Sequence, residues 1–516
     1  MIKTCYIYSP ADCRRHGEFM RRPLLLMLFA ATMLPVAAFS QQLTPSVKKL
    51  LVHAHADVGD LACEKKTPTL RPPTAPNLDP MEVPSDEMVE LMGAPQASAV
   101  QPNGTAAPLS PLRLTPSKGV YRIAVWGDSH LAAGFFTEEL VKQLKLTSDA
   151  VPNAIIPANM GRAGVRLPIR RSCVSAQWRY EPGYLGGESA AAPGPGLVNM
   201  FSDQAGATLA WDLRKDAQSP GYERVRILYQ QTETPMVIGL AVDGEAEKEV
   251  TLDEKAGPAV LELMAEQPVS QVRIRLIDAR FRFHGLELLS RQPNPFQLDV
   301  FGYPGATVAA WKAANLDYLG AWFSQPAYQL VLLEFGTNEG NVKPFDLASY
   351  RKTLSESVRN MRTVFPAAAC ILIAPGDRGI LVRRSANIRH KAAPAGARHK
   401  TAASKKQAAQ AKRNSKAKAD PAIDLLVYSR IHADIGRVQA EVAEAAGCSA
   451  WSMMHAMGGP GHSYQWAHQS PALMSTDLIH FTVAGYQRLA QKFVRDMGWT
   501  GAINNNDAGV DKLGGR

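Results

Sequence analysis

Cysteine is scarce in this chain, with only Cys5, Cys13, Cys63, Cys173, Cys370 and Cys448 in 516 residues. Their spacings match no zinc site and no redox pair, which excludes a cysteine-built metal or redox centre. Long apolar runs are also wanting. The strongest, Leu24 to Leu34, falls well short of the ~20 residues that span a bilayer. Acidic residues are missing altogether from 383–418, a stretch that holds twelve Lys/Arg. Taking those twelve from the formal charge of +10 leaves −2 for everything else. The basic balance is therefore local, and no specific nucleic-acid partner is expected.

What is present begins with an export pattern. Met20-Arg-Arg-Pro23 precedes the short apolar run, and Val36-Ala-Ala-Phe-Ser-Gln41 supplies small residues suited to cleavage after Ala38 or Ser40. A positive start, a short apolar core and a small-residue end make a secretory signal peptide. We expect 1–40 to be the signal region, with Met20 as the true start. No cysteine follows directly, so no lipid anchor is indicated. Four cysteines survive cleavage, and an oxidising compartment would allow one disulfide. Cys370 lies in an apolar strand and reads as a buried small hydrophobe.

Residues 41–118 are rich in Pro, Ala, Thr and Ser, as in Arg71-Pro-Pro-Thr-Ala-Pro76, and read as a linker with one short helix near 82–92. A buried strand follows at 121–126. Gly127, Asp128 and Ser129 break it, and helical spacing resumes over 131–144. A serine where a strand turns into a helix is exposed at the sheet's edge, with its own N–H near a helix N-terminus where negative charge is stabilised. Asp128 and Ser129 are equally good helix caps.

From about Ala163 the texture changes. Alternating runs at 224–231, 236–243, 248–253, 259–264, 271–277 and 281–289, separated by turns such as Ser219-Pro-Gly221 and Asp243-Gly244, predict a β-sandwich or jelly roll inserted at 165–296. Trp178, Tyr180, Tyr184, Trp211 and Tyr222 in its first part suit either core packing or stacking on sugar rings. Strands then alternate with helices again: strand 297–301, helix 308–322, strand 329–335, helix 345–364, strand 369–374, helix 428–446 and helix 482–497. This order means a parallel α/β sheet, with ligands at the carboxyl ends of its strands. The α/β portion thus spans 119–164 and 297–500, interrupted by a basic insertion at 383–420. Residues 451–475 read as a loop, and 501–516 as a tail. The basic run 383–418 suits a solvated loop or an electrostatic tether to an anionic wall polymer, membrane surface or nucleic acid.

Four strand-end motifs stand in order: Gly127-Asp-Ser-His130, Tyr303-Pro-Gly305-Ala-Thr307, Gly336-Thr-Asn-Glu339 and Asp477-Leu-Ile-His480. Together they resemble the SGNH (GDSL-like) hydrolase superfamily, whose core is a flavodoxin-like parallel sheet. The chemistry implied is acyl transfer by a triad and an acyl-enzyme, with no metal and no cofactor. Ser129 would be the nucleophile, His480 its base, and Asp477 the group that orients His480. The N–H groups of Ser129 and Gly305 and the side-chain amide of Asn338 would form the oxyanion hole. His after Gly-Asp-Ser, Glu after Gly-Thr-Asn, and a β insertion behind the first motif are most like the peptidoglycan O-acetylesterases of Gram-negative bacteria. That resemblance implies a periplasmic enzyme that removes acetyl from the C6 hydroxyl of N-acetylmuramic acid, with the insertion similar to a carbohydrate-binding module. Alternatives remain open: an esterase or acetyltransferase on another polysaccharide or lipid ester, and a non-catalytic glycan-binding protein.

Overall fold

The computed structural model describes residues 43–63, 120–144, 154–278, 280–290, 296–323, 328–381 and 423–499. The signal region, most of the expected linker with its short helix, the basic run and the tail lie outside them. Tyr121–Gly127, Leu330–Glu334 and Ala369–Ala374 are nearly continuous apolar runs, as strands covered on both faces must be. With Phe296–Gly302 and Ser449–Ser452 they form a five-stranded sheet in which every pairing is parallel. In chain order the spatial sequence is second, first, third, fourth, fifth, the flavodoxin-like arrangement. Ile123 and Val125 face one layer, with Phe136 and Leu140 of helix Phe135–Gln143 and Leu489 and Phe493 of helix Val483–Asp496. Ala124 and Trp126 face the other, with helices Leu347–Val364 and Val427–Ala445. Trp126 stacks on Phe301 at 4.6 Å and donates its indole N–H to Pro195 O at 3.0 Å, so its one polar atom is satisfied inside the core.

The alternating runs form two further sheets. Seven strands make the larger: Ser46–Leu51, Gly257–Val269, Tyr222–Gln231, Phe281–Leu289, Val198–Ser202 and Arg179–Pro182 in order, with Ile155–Pro157 also on Phe281–Leu289. Lys248–Leu252, Met236–Val242, Gln271–Asp278, Thr208–Asp212 and Arg171–Val174 make the smaller. All these pairings are antiparallel except that of Ser46–Leu51. Alternation decides the faces: Val272, Ile274 and Leu276 point into a core shared by both sheets, while Arg273 and Arg275 point out. Leu228 and Val260, on the other face of the larger sheet, pack with Trp311, Tyr318 and Trp322 of the α/β part. His284 and the Tyr318 hydroxyl, 3.2 Å apart, add a polar tie. The described residues thus cluster as one compact unit.

Several expectations need correcting. Part of the expected 41–118 linker is sheet: Ser46–Leu51 pairs in parallel with Gly257–Val269, and Lys48 reaches Asp253 at 2.7 Å. The two-sheet region begins before 165, because Ile155–Pro157 already pairs with Phe281–Leu289. The helix expected over 131–144 is two helices, Ser129–Ala132 and Phe135–Gln143, parted by left-handed Gly134. That over 308–322 is likewise two, Ala309–Ala313 and Leu316–Gly320, parted by extended Ala314. The loop expected at 451–475 contains helices Met453–Met457 and His462–His468, too short for periodicity to reveal. Cys370 is no free hydrophobe: it is disulfide-bonded to Cys448.

A second disulfide joins Cys63 to Cys173 across 110 residues. It ties the N-terminal strand segment to the smaller sheet. Removing it as Cys63→Ser/Cys173→Ser is expected to lower unfolding free energy by about 2–5 kcal/mol, as closing a loop of this length does. Urea unfolding of the two proteins checks this; an unchanged midpoint would show the tie to be dispensable.

Candidate active site

The Tyr121–Gly127 strand ends where a side chain no longer fits. A Cβ on Gly127 would lie 2.6 Å from both the carbonyl and a carboxyl oxygen of Glu334. Glycine here lets the chain turn directly into the helix that starts at Ser129. Asp128 caps that helix, its carboxylate accepting the His130 N–H at 2.9 Å. The capping role therefore falls to Asp128, and the Ser129 hydroxyl is left for other work. It meets His480 Nε2 at 2.8 Å, 351 residues along the chain. His480 Nδ1 in turn meets Asp477 Oδ2 at 2.6 Å. The other oxygen of Asp477 accepts the N–H groups of Ile479 and His480, each at 2.9 Å. Leu478 between them is held at φ 55°, buried beneath the turn. The structure thus brings the three expected residues into one hydrogen-bonded chain.

The charges follow from these contacts. Burial works to raise the Asp477 pKa, but the His480 hydrogen bond and charge and the two backbone N–H groups outweigh it and hold it at about 2. Burial works to lower the His480 pKa, but Asp477 outweighs it and the net shift is upward. An imidazole so placed accepts a proton readily and is stabilised once it has done so. His130 is the opposite case. Burial and the charge of His480 push its pKa well down, so it stays neutral, 3.2 Å from the Tyr486 hydroxyl.

Beneath the serine lies a buried carboxyl pair. Burial raises Asp128 to about 6, against the His130 N–H and the charge of His480. Burial and the charge of Asp128 raise Glu334 well above the usual range. Its carboxyl oxygen accepts the Asp128 N–H at 3.2 Å. Glu339, where the third motif departs from its usual form, accepts the N–H groups of Val308 at 2.8 Å and Gly336 at 3.0 Å. It clamps the loop after Leu330–Glu334 to the start of helix Ala309–Ala313. Burial raises it to about 7.

The expected oxyanion donors are differently prepared. Among the described residues, neither the Ser129 N–H nor the Gly305 N–H has a hydrogen-bond partner. Gly305 is at φ 88°, a conformation that favours glycine. The Asn338 amide is occupied: its Nδ2 donates to Ala306 O at 2.8 Å and to Asp128 Oδ2 at 3.3 Å. Two donors are thus free, and the third is engaged.

Sequence reasoning did not single out Arg162. It sits in the turn between left-handed Gly161 and Gly164, with its guanidinium 5.4 Å from the Tyr303 ring centroid and 5.8 Å from that of Tyr180. Of the aromatic residues considered for sugar contact, Trp178 and Trp211 are core, whereas Tyr184 is half-buried beside Gly305. Only the turn glycines flanking Arg162 mark the loop in the sequence. Among the described residues no cluster of His, Cys, Asp or Glu is arranged to hold a metal ion. No described helix is long and apolar enough to cross a membrane.

This geometry can be set beside known proteins. No family model matches the sequence, and no curated protein matches it. A solved peptidoglycan O-acetylesterase is similar in structure, at 20% identity and a TM-score of 0.52, over 78% of this chain and 98% of that one. A salicylyl-acyltransferase from a tetracycline biosynthetic pathway matches over 65% of this chain and 99% of its own, at 12% identity and a TM-score of 0.24. A family two carbohydrate esterase from Clostridium thermocellum, in complex with cellohexaose, matches over 62% and 99%, at 9% identity and a TM-score of 0.24. The last two overlaps are too low to argue from. The first is a likeness of fold alone.

Proposed function

We propose that this protein is a serine esterase that removes O-acetyl groups from cell-wall glycan, with the C6 hydroxyl of N-acetylmuramic acid as the acetylated position. The observation that carries the reading is the Ser129–His480–Asp477 chain, with links of 2.8 and 2.6 Å, beside two unbonded backbone N–H groups. In this reading Ser129 Oγ attacks the acetyl carbonyl and gives its proton to His480 Nε2. The carbonyl oxygen becomes an oxyanion held by the N–H groups of Ser129 and Gly305. Asn338 joins them by giving up its weaker bond, the 3.3 Å contact with Asp128. The C–O bond to the sugar breaks, and the sugar oxygen takes the proton from His480. Water, deprotonated by His480, then attacks the acetyl-enzyme, releasing acetate and restoring Ser129.

The substrate class rests on the fold likeness to a peptidoglycan O-acetylesterase and on the motif variants, His130 and Glu339. Periplasmic localisation rests on the signal pattern, and two disulfides suit an oxidising compartment. We read the two antiparallel sheets as a jelly-roll, carbohydrate-binding-module-like region that presents glycan to the serine. The basic run 383–418 would add electrostatic contact with anionic wall or membrane. The deciding experiment compares O-acetylated sacculi with chemically de-acetylated ones. Acetate should be released from the first alone. Release from small or lipid esters with none from sacculi would show the substrate to be wrong.

A further inference from the structure

The triad accounts for the acyl half of a substrate and leaves the alcohol half without a partner. The loop over 159–166 is built against the site from the two-sheet side. Asn159 donates its amide to Gly302 O at 2.8 Å, just before the Tyr303-Pro-Gly305 turn. The Arg166 N–H bonds Ala132 O at 2.9 Å, at the end of the helix that starts at Ser129. A Cβ on Gly164 would lie 3.5 Å from Pro304, and one on Gly305 would lie 3.7 Å from the Tyr184 hydroxyl. This loop therefore adjoins both segments that would hold the oxyanion.

Arg162 stands at its tip. Its N–H bonds Asn159 O at 3.3 Å and its carbonyl accepts the Val165 N–H at 3.1 Å, which fixes the turn. Its side chain is exposed and rests near two tyrosine rings, one of them Tyr303. Among the described residues no carboxylate pairs with it. Its loop neighbour Arg166, by contrast, is committed, pairing with Glu138 at 2.7 Å. A guanidinium held in place without an acid is pre-organised for an anion from outside, and its planar fork suits a carboxylate.

We propose that Arg162 binds a carboxylate on the alcohol half of the substrate, so that the site selects acidic, carboxylate-bearing acetylated glycan over neutral acetylated glycan. This rests on the esterase reading above. Arg162 is a specificity residue here, and the Tyr303 and Tyr180 rings flank its guanidinium.

The test uses O-acetylated muropeptides and the same muropeptides with their carboxylates amidated. For the wild type, kcat/KM should favour the acidic form by about 10- to 100-fold, the worth of one charge-assisted hydrogen bond. In Arg162→Gln the ratio should fall close to one, and Arg162→Lys should restore part of it. High salt should shrink the wild-type ratio. A wild-type ratio near one, or a ratio unaltered in Arg162→Gln, overturns the assignment and leaves stacking on tyrosine as the alternative. Acetate released equally from both forms removes this assignment alone. No acetate from either form removes the esterase reading, and this assignment with it.

Discussion

Ser129→Ala is expected to lower acetate release from O-acetylated glycan by about 10⁴-fold or more, since removing a triad nucleophile leaves only the oxyanion donors and binding to act. The same change should move stability by less than about 1 kcal/mol. The asymmetry has a structural cause. The serine hydroxyl has one side-chain partner, His480, and the helix it begins is capped by Asp128. Alanine loses the chemistry but neither the cap nor the turn, and it is a good helix former. The variant should also keep its affinity for sacculi. This separates the esterase from a non-catalytic glycan-binding protein, for which Ser129→Ala would change nothing measurable. Acetate release by the variant at the wild-type rate would end the esterase reading.

What the sequence reveals and what it hides divide along the same physical line. Gly127-Asp-Ser-His130 and Asp477-Leu-Ile-His480 are legible because each completes a local device: an aspartate that caps the helix it precedes by accepting the His130 N–H, and a carboxylate that closes its own three-residue turn. The strands of the parallel sheet are legible because burial on both faces demands unbroken apolar runs. Ser46–Leu51 is hidden because its partner, Gly257–Val269, lies more than two hundred residues away and only alternate residues are half-buried. The pairing of Cys370 with Cys448 is hidden for the same reason, since spacing says nothing of contact. Asn338 is legible as a residue but not as a geometry. That its amide is already shared between Ala306 and Asp128 depends on three loops meeting.

Asp477→Asn is the sharper probe of how the site works. The oxygen that accepts the Ile479 and His480 N–H groups is retained by an asparagine carbonyl, so the turn around left-handed Leu478 should survive. What changes is the atom facing His480 Nδ1, which becomes an N–H donor. The imidazole must then present a lone pair at Nδ1 and carry its proton on Nε2, the nitrogen that should receive the proton of Ser129. A rate loss of about 10⁴ is expected, the usual cost of the wrong tautomer. The pH profile carries a second signature. In the wild type Asp477 raises the His480 pKa against the effect of burial. The base works only when neutral, so kcat/KM should rise with pH through a midpoint above 6.5, the ordinary histidine value. Without the carboxylate, burial dominates, and the midpoint of the residual activity should move to lower pH. If kcat/KM of Asp477→Asn kept the wild-type midpoint, the carboxylate would be holding the turn alone, and the proton taken from Ser129 would owe nothing to it.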